Sequence, residues 1–335
     1  MSKNRKRILV TAGEPASIST EITIKSLISK EITKDAEIII VSDPDLLQKT
    51  GYNLKKKLKI NILKKENGFL DYNKNYINVF PLKVKKNVIH GKLDIKNCSF
   101  VQESILTSIN LIKNNFAQAI VTNPINKYIM KKSGFIFEGH TEYLGSLSTI
   151  KKDPIMLLDS KKLKVIPLTT HIPLREVSKR INKEKLIKKI QTINEELKIN
   201  FNIHKPKIFV SGLNPHSGDK GEVGREEIDS ILPAIKFLQK KGYDVTGPIS
   251  SDTLFQKNLR NIYDVAVCMY HDQALIPIKS LSFNDVVNIT LGIDFIRTSP
   301  DHGTALDISG KNKANPKSLI NAINKAIELI NKKII

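Results

Sequence analysis

Five of the seven histidines, His140, His171, His216, His271 and His302, fall inside polar clusters. Three of them share a setting. His171 in TTHIPL, His216 in NPHSGD and His271 in YHDQ each follow, by one to four residues, an apolar run that reads as a strand. Open α/β sheets put their ligands just beyond such strand ends. If those strands share one sheet, three imidazoles from separate loops converge on a divalent cation and leave a position for substrate, as catalytic metal sites do. Spacing alone leaves a second reading open, in which each histidine is satisfied inside its own loop. No HExxH pair decides between them.

A second set is cationic and polar. Lys127, Lys279, Asn288 and Arg297 each stand at the end of an apolar run, and lysine and arginine with an amide bind phosphate or carboxylate by charge-assisted hydrogen bonds. Either lysine alone also reads as a solvated surface group, whereas Arg297 interrupts an apolar stretch and precedes Thr298-Ser299. There is no GxGxxG and no GxxxxGK[ST], so neither dinucleotide nor P-loop fingerprint is present. The glycines at 218, 221 and 224 read as a flexible loop before a helix near Arg225.

The 335 residues suffice for two domains. Strands are expected at 7–10, 36–41, 117–124, 154–158, 164–170, 207–212, 264–270 and 286–292. Helices are expected at 19–30, 97–115, 183–200, 225–241 and 315–333, the last opening with Asn315 as cap and Pro316 at the first helical position. This alternation points to α/β architecture with a largely parallel sheet. The stretch 50–98 is Lys/Asn-rich and says least, and His90 and His204 read as surface-loop residues.

Hydrophobic residues make up 40% of the chain and charged residues 26%, ordinary globular usage, and no stretch nears the ~20 apolar residues a membrane span needs. The opening MSKNRKRILVTAGE lacks a secretory apolar core, so a cytoplasmic location is expected. Cys98 and Cys268 read as buried thiols. The net charge of +21 invites a nucleic-acid reading, but of 54 basic residues seven are arginine, leaving 47 lysines spread along the chain. That spread reads as solvated helix faces, and no nucleic-acid or membrane partner is expected.

Taken in order, GEPASISTE, TNPINK, GHTEYLG, THIPLREV, GLNPHSGDKGEVGREE, GPISSDTLF, YHDQALIPIK and NITLGIDFIRTSPDHGTALDISGK resemble the successive motifs of the 4-hydroxythreonine 4-phosphate dehydrogenase family of pyridoxal phosphate biosynthesis. The resemblance runs from about residue 8 to the C-terminus. It implies two αβα domains around mostly parallel sheets, like those of isocitrate and isopropylmalate dehydrogenases, with a cleft between them. Residues 1–130 plus 285–335 would form one domain with the cofactor loop, and 131–284 the other, with the metal loops and dimer interface. A homodimer with its active site between subunits is implied.

The resemblance assigns a divalent metal (zinc, magnesium, cobalt or manganese) to His171, His216 and His271; three imidazoles favour a borderline-soft ion. It assigns a small phosphorylated hydroxy amino acid to His140, Thr141, Lys279, Asn288 and Arg297. His302, Gly303 and Asp307 fall to the cofactor, NAD rather than NADP, because a carboxylate at Asp307 accepts ribose hydroxyls and repels a 2′-phosphate. Leu306 stands where the related loop carries proline. Asp252 and Asp272 either orient ligating imidazoles or cap helices. The reaction implied is oxidation to a 3-keto acid that decarboxylates to 3-amino-2-oxopropyl phosphate; a relative acting on another phosphorylated four-carbon hydroxy acid would carry the same motifs. The first motif departs from the family pattern, with Ser17 and Ser19 for glycine and Thr20 for proline, a poorer fit if the turn needs positive φ there.

Overall fold

A computed structural model describes residues 6–63, 65–66, 69–70, 72–283 and 285–333. The described residues divide into two compact units, 6–149 with Asp294–Asn331, and Ile150–Ile293. The resemblance sets the limits instead at 130/131 and 284/285. In the structure, Ser148 and Thr149 bond the Asp294 carboxylate within the first unit, and Val287–Leu291 pairs with Ile155–Asp159 within the second.

The first unit opens with β1 (Arg7–Thr11), α1 (Ser19–Ile28), β2 (Glu37–Ser42), α2 (Pro44–Asn53), β3 (Ile60–Ile62), β4 (Lys65–Glu66), β5 (Phe69–Leu70), β6 (Ile77–Pro81), α3 (Cys98–Lys113), β7 (Ala119–Val121), α4 (Lys127–Lys132) and α5 (His140–Leu147). The second holds β8 (Ile155–Asp159), β9 (Lys164–Pro167), α6 (Val177–Arg180), α7 (Lys183–Phe201), β10 (Ile208–Ser211), α8 (Leu232–Lys240), β11 (Val245–Ile249), α9 (Ser251–Leu254), α10 (Lys257–Arg260), β12 (Val265–Cys268), α11 (His271–Ser282) and β13 (Val287–Leu291). The chain then returns to the first unit with β14 (Ile296–Pro300) and α12 (Lys317–Lys332).

Strands of the first unit run β14-β7-β1-β2-β6-β3, all parallel. Those of the second run β11-β10-β12-β9-β8-β13; the first four are parallel, and β8 is antiparallel to both β9 and β13. The expected α/β class with mostly parallel strands is what forms. β1 and β2 are buried almost throughout because helices cover both faces, as all-parallel sheets require. Ile8, Leu9, Ile39 and Ile40 are fully buried, each worth about 1.5–3 kcal/mol. α12 buries Leu319, Ile320, Ile323 and Ile327 at helical spacing, and Asn315 Oδ1 accepts the Lys317 amide as its cap.

Several elements escape the sequence reading for physical reasons. Pro277 inside α11 masks a twelve-residue helix. β11 carries Pro248, which an edge strand tolerates. The helix expected over 225–241 begins as a π-helical turn, Glu227–Ile231, before α8. His90 is not a simple surface residue: it is half-buried, with Nδ1 3.3 Å from Ser309 Oγ.

The first turn places its positive φ at Gly13 (69°) and at neither Ser17 nor Ser19. Serine is therefore compatible with both positions. Ser17 Oγ lies 2.6 Å from the Glu14 carbonyl oxygen and 2.8 Å from Ser19 Oγ. At Gly13, an added Cβ would sit 2.6 Å from both Asn123 Cβ and Ser19 Oγ. Gly13→Ala should cost about 1–3 kcal/mol, read as a lower urea midpoint at unchanged slope.

Candidate functional site

In the second unit, β10, β12 and β9 are neighbours, with Phe209 opposite Ala266 and Ala266 opposite Val165. Beyond their carboxyl ends come His216, His271 and His171 respectively. The rings of His171 and His271 lie 5.9 Å apart, centroid to centroid. His271 opens α11, and its Nδ1 is 2.7 Å from Asp272 Oδ1, which leaves Nε2 as the nitrogen able to offer a lone pair. His171 and His216 both take left-handed backbone (φ 46° and 52°), uncommon for a residue with a side chain.

Three polar side chains that the sequence reading passed over hold these loops. Gln273 is buried; its Oε1 accepts the Met269 amide at 2.6 Å, and its Nε2 donates to Gly212 O at 2.8 Å and Ser251 Oγ at 2.7 Å. It thus ties together the ends of β12, β10 and β11. Lys189 on α7 donates to Pro167 O and Leu168 O, and burial lowers its pKa to about 8. Glu227 accepts the amides of Leu213 and Asn214. A lone Gln, Lys or Glu in a helix carries no signal of such a role.

Lys279 lies on the same face of α11 as His271, and both border one surface depression. Asn288 sits on β13 with a buried Oδ1 that has no hydrogen-bond partner among the described residues. Asp252 accepts from Ser250 Oγ at 2.6 Å, which lowers its carboxyl pKa, with a smaller contribution from His216.

In the first unit, Arg297 is 3% exposed on β14; its Nε and Nη2 donate to Thr122 Oγ1 at 3.0 and 2.7 Å. Desolvation lowers its pKa to about 10, so it stays charged at neutral pH. His140 opens α5, and Thr141, half-buried, follows. His140 Nε2 is buried with no hydrogen-bond partner among the described residues. Burial, and then the charges of Arg297 and Lys127, hold its pKa well below the usual 6.5. The Gly139 cap has no side-chain hydrogen bond, and an added Cβ there would lie 3.3 Å from Lys127 Cε. A helix N-terminus, an ammonium, a buried guanidinium and a neutral imidazole make an anion-binding set.

The loop carrying His302, Gly303 and Asp307 leans on the first turn: Ile18 N donates to Thr304 O, and Ser309 Oγ donates to Ala16 O. Gly303 and Asp307 are exposed. His302 Nδ1 is 3.0 Å from Gly303 O, and its Nε2 is buried without a hydrogen-bond partner among the described residues.

Parallel α/β units with imidazoles just beyond their strand ends are the setting in which α/β enzymes bind small charged molecules. A family model described as "Pyridoxal phosphate biosynthetic protein PdxA" matches residues 34–326, and the chain belongs to that family. It is 41% identical over 323 residues, 96% of this chain and 98% of the relative, to a 4-hydroxythreonine-4-phosphate dehydrogenase of Sulfurihydrogenibium sp.. It is also 41% identical to the protein of that name from Wigglesworthia glossinidia brevipalpis, over 96% of each chain. The crystal structure of 4-hydroxythreonine-4-phosphate dehydrogenase from Klebsiella pneumoniae superposes with a TM-score of 0.88 at 34% identity, covering 98% of this chain and 99% of that one.

Two measurements check the site. Gln273→Ala leaves Gly212 O and the Met269 amide without this partner and should cost about 1–3 kcal/mol in chemical denaturation. For His140, the folded chain keeps the ring neutral while the unfolded chain protonates it below 6.5. The unfolded state therefore binds more protons as pH falls, and stability drops. His140→Gln lacks this penalty, so between about pH 7.5 and about pH 5 its Tm should fall less than that of the parent protein.

Proposed function

We propose that this chain is an NAD-dependent 4-hydroxythreonine-4-phosphate dehydrogenase, oxidising the C3 hydroxyl of 4-phosphohydroxy-L-threonine. The observation that carries the reading is the placement of His171, His216 and His271 beyond three adjacent parallel strands; the names of the relatives support the substrate. Three imidazoles, one with its second nitrogen engaged by a carboxylate, fit a borderline-soft divalent ion such as zinc or cobalt, with magnesium or manganese as harder alternatives. His171, His216 and His271 would hold the cation, which would supply Lewis-acid stabilisation of the substrate's hydroxyl oxygen, and the nicotinamide would supply the hydride acceptor.

The protein's own groups bind and orient. Arg297, Lys127 and the first turn of α5, with Thr141, take the phosphate. His140, kept neutral by burial and its cationic neighbours, offers a ring N–H to that anion without adding charge. Lys279 and Asn288 hold the substrate's remaining polar groups in register, a positional contribution. His302 and Gly303 border the cofactor, and the Asp307 carboxylate favours ribose hydroxyls over a 2′-phosphate, hence NAD over NADP. The product is a 3-keto acid; it loses carbon dioxide because the electrons left behind delocalise into the adjacent carbonyl, giving 3-amino-2-oxopropyl phosphate. A homodimer with its active site between subunits belongs to the same reading. Two buried free thiols, Cys98 and Cys268, suit a cytoplasmic enzyme.

The test is absorbance at the NADH band after mixing protein, NAD, a divalent metal and 4-phosphohydroxy-L-threonine, with and without chelator. Chelator-sensitive NADH formation is expected, and His216→Ala should abolish it. Arg297→Ala should lower kcat/KM for the phosphorylated substrate by roughly a hundredfold with little change in the KM for NAD. Turnover only of a different phosphorylated hydroxy acid would move the substrate assignment; full activity in metal-stripped buffer would remove the metal.

A further inference from the structure

His216 lies in an unusual stretch of backbone. Five consecutive residues, His216, Ser217, Gly218, Asp219 and Lys220, have φ between 40° and 82°. Four of them carry a Cβ, and left-handed backbone costs such residues roughly 1–2 kcal/mol each. A conformation of this kind persists only where the surroundings over-determine it.

The surroundings converge on one buried carboxylate. Glu227 is 2% exposed and opens the π-helical turn ahead of α8. Its Oε1 accepts the amides of Leu213 and Asn214 at 2.7 and 2.8 Å, and its Oε2 accepts Asn214 Nδ2 at 2.9 Å. The same amide nitrogen donates to Glu226 Oε2 at 2.7 Å.

Two of the glycines that read from sequence as a flexible loop, Gly218 and Gly224, serve close approach instead, as does Gly212. A Cβ at Gly218 would lie 2.7 Å from Glu227 Oε2, one at Gly212 would lie 3.1 Å from Oε1, and one at Gly224 would lie 2.4 Å from Asn214 Nδ2. The loop is wrapped around the carboxylate with no room for a methyl group.

We propose that Glu227 is a positioning residue for His216, its buried carboxylate gripping the 212–218 loop so that the imidazole is held ready for a divalent cation. This rests on the reading of His216 as a metal ligand. Glu227 has no need to touch metal or substrate. It acts through two backbone amides and one side-chain amide, and it does so before any metal binds. In Glu227→Gln one oxygen can still accept the two backbone amides, but the new NH2 faces Asn214 Nδ2, donor against donor. Turning the Asn214 amide over would point its oxygen at the Glu226 carboxylate. The variant therefore keeps the volume, loses the bond to Asn214 Nδ2 and leaves the two backbone amides on a neutral, weaker acceptor, so the grip loosens.

The experiment is competition between the metal-free protein and a chromophoric chelator for Co2+ or Zn2+, on wild type, Glu227→Gln and His216→Ala. Glu227→Gln should weaken metal binding by roughly tenfold to a hundredfold, the range typical of groups that orient ligands. Saturating metal should restore its kcat but not that of His216→Ala. Without metal, hydrogen exchange at the Leu213 and Asn214 amides should accelerate in Glu227→Gln, a readout independent of turnover. Wild-type metal affinity in a folded Glu227→Gln protein would overturn the proposal while His216→Ala still binds weakly. Unchanged affinity in His216→Ala as well would instead refute the metal reading on which it rests. Should Glu227→Gln fail to fold, Gly218→Ala, which presses a methyl group on the intact carboxylate, should weaken metal binding in the same direction, and unchanged binding there would equally overturn the proposal.

Discussion

Where a parallel strand ends, the chain has to leave the sheet, and the carbonyls and amides it bares there must find partners or pay several times the worth of an ordinary hydrogen bond. Much of what surrounds the candidate site answers that demand. Gln273 satisfies the Gly212 carbonyl and the Met269 amide with one side chain. Lys189 takes the carbonyls of Pro167 and Leu168, and Glu227 takes the amides of Leu213 and Asn214. Hydrogen bonds from these polar side chains thus help to fix the three loops that carry His216, His271 and His171. Such bonds are directional, so they set loop conformation more sharply than hydrophobic contact does.

The first unit meets the same demand and builds charge into it. Asn123 Nδ2 donates to the Thr11 carbonyl and to Thr23 Oγ1, which in turn donates to the Ser19 carbonyl. Thr122, its neighbour, accepts from the Arg297 guanidinium. Burying a cation this deeply is costly, and the lowered pKa of Arg297 records that cost, offset in part by the charge of Glu142. The neutral state of His140 is part of the same arrangement, since a third positive charge beside Lys127 and Arg297 would be repelled. Under the proposed function, a dianion such as a phosphate ester would relieve the mutual repulsion within the set.

Much of this was legible in the sequence. Apolar runs marked β1, β2, β8, β10, β12 and β13, because burial on both faces leaves strands apolar, and the polar clusters after them marked the loops of the candidate site, since ligand sites of open α/β sheets collect at strand ends. What stayed hidden is instructive. α11 carries both His271 and Lys279 but contains Pro277, which reads as a breaker. β14 is buried yet spells IRTSP, its polar residues facing partners that only tertiary structure supplies. Glu227, Gln273 and Lys189 look like ordinary helix surface residues. The fact that distinguishes each of them, burial against a distant loop, involves partners more than ten residues away in the chain. The glycines of 218–224 misled in the opposite direction, since close packing and flexibility both call for the absence of a Cβ.

The same distinction between backbone and side-chain requirements explains the first turn. The Ala16 carbonyl accepts both the Gly91 amide at 2.8 Å and Ser309 Oγ at 2.7 Å, and the Ile18 amide reaches the Thr304 carbonyl. His90 closes over Gly310, where a Cβ would lie 2.7 Å from the ring. The loop of His302, Gly303 and Asp307 is therefore braced on the main chain of residues 16–18. The hydroxyls of Ser17 and Ser19 point inward, to the Glu14 carbonyl, to each other and to Pro124 O. Side chains at 17 and 19 thus add internal hydrogen bonds without touching the surface on which that loop rests. Because the one position that requires a left-handed backbone is still glycine, at residue 13, the turn keeps its shape, and the loop keeps its support, with serine at both sites.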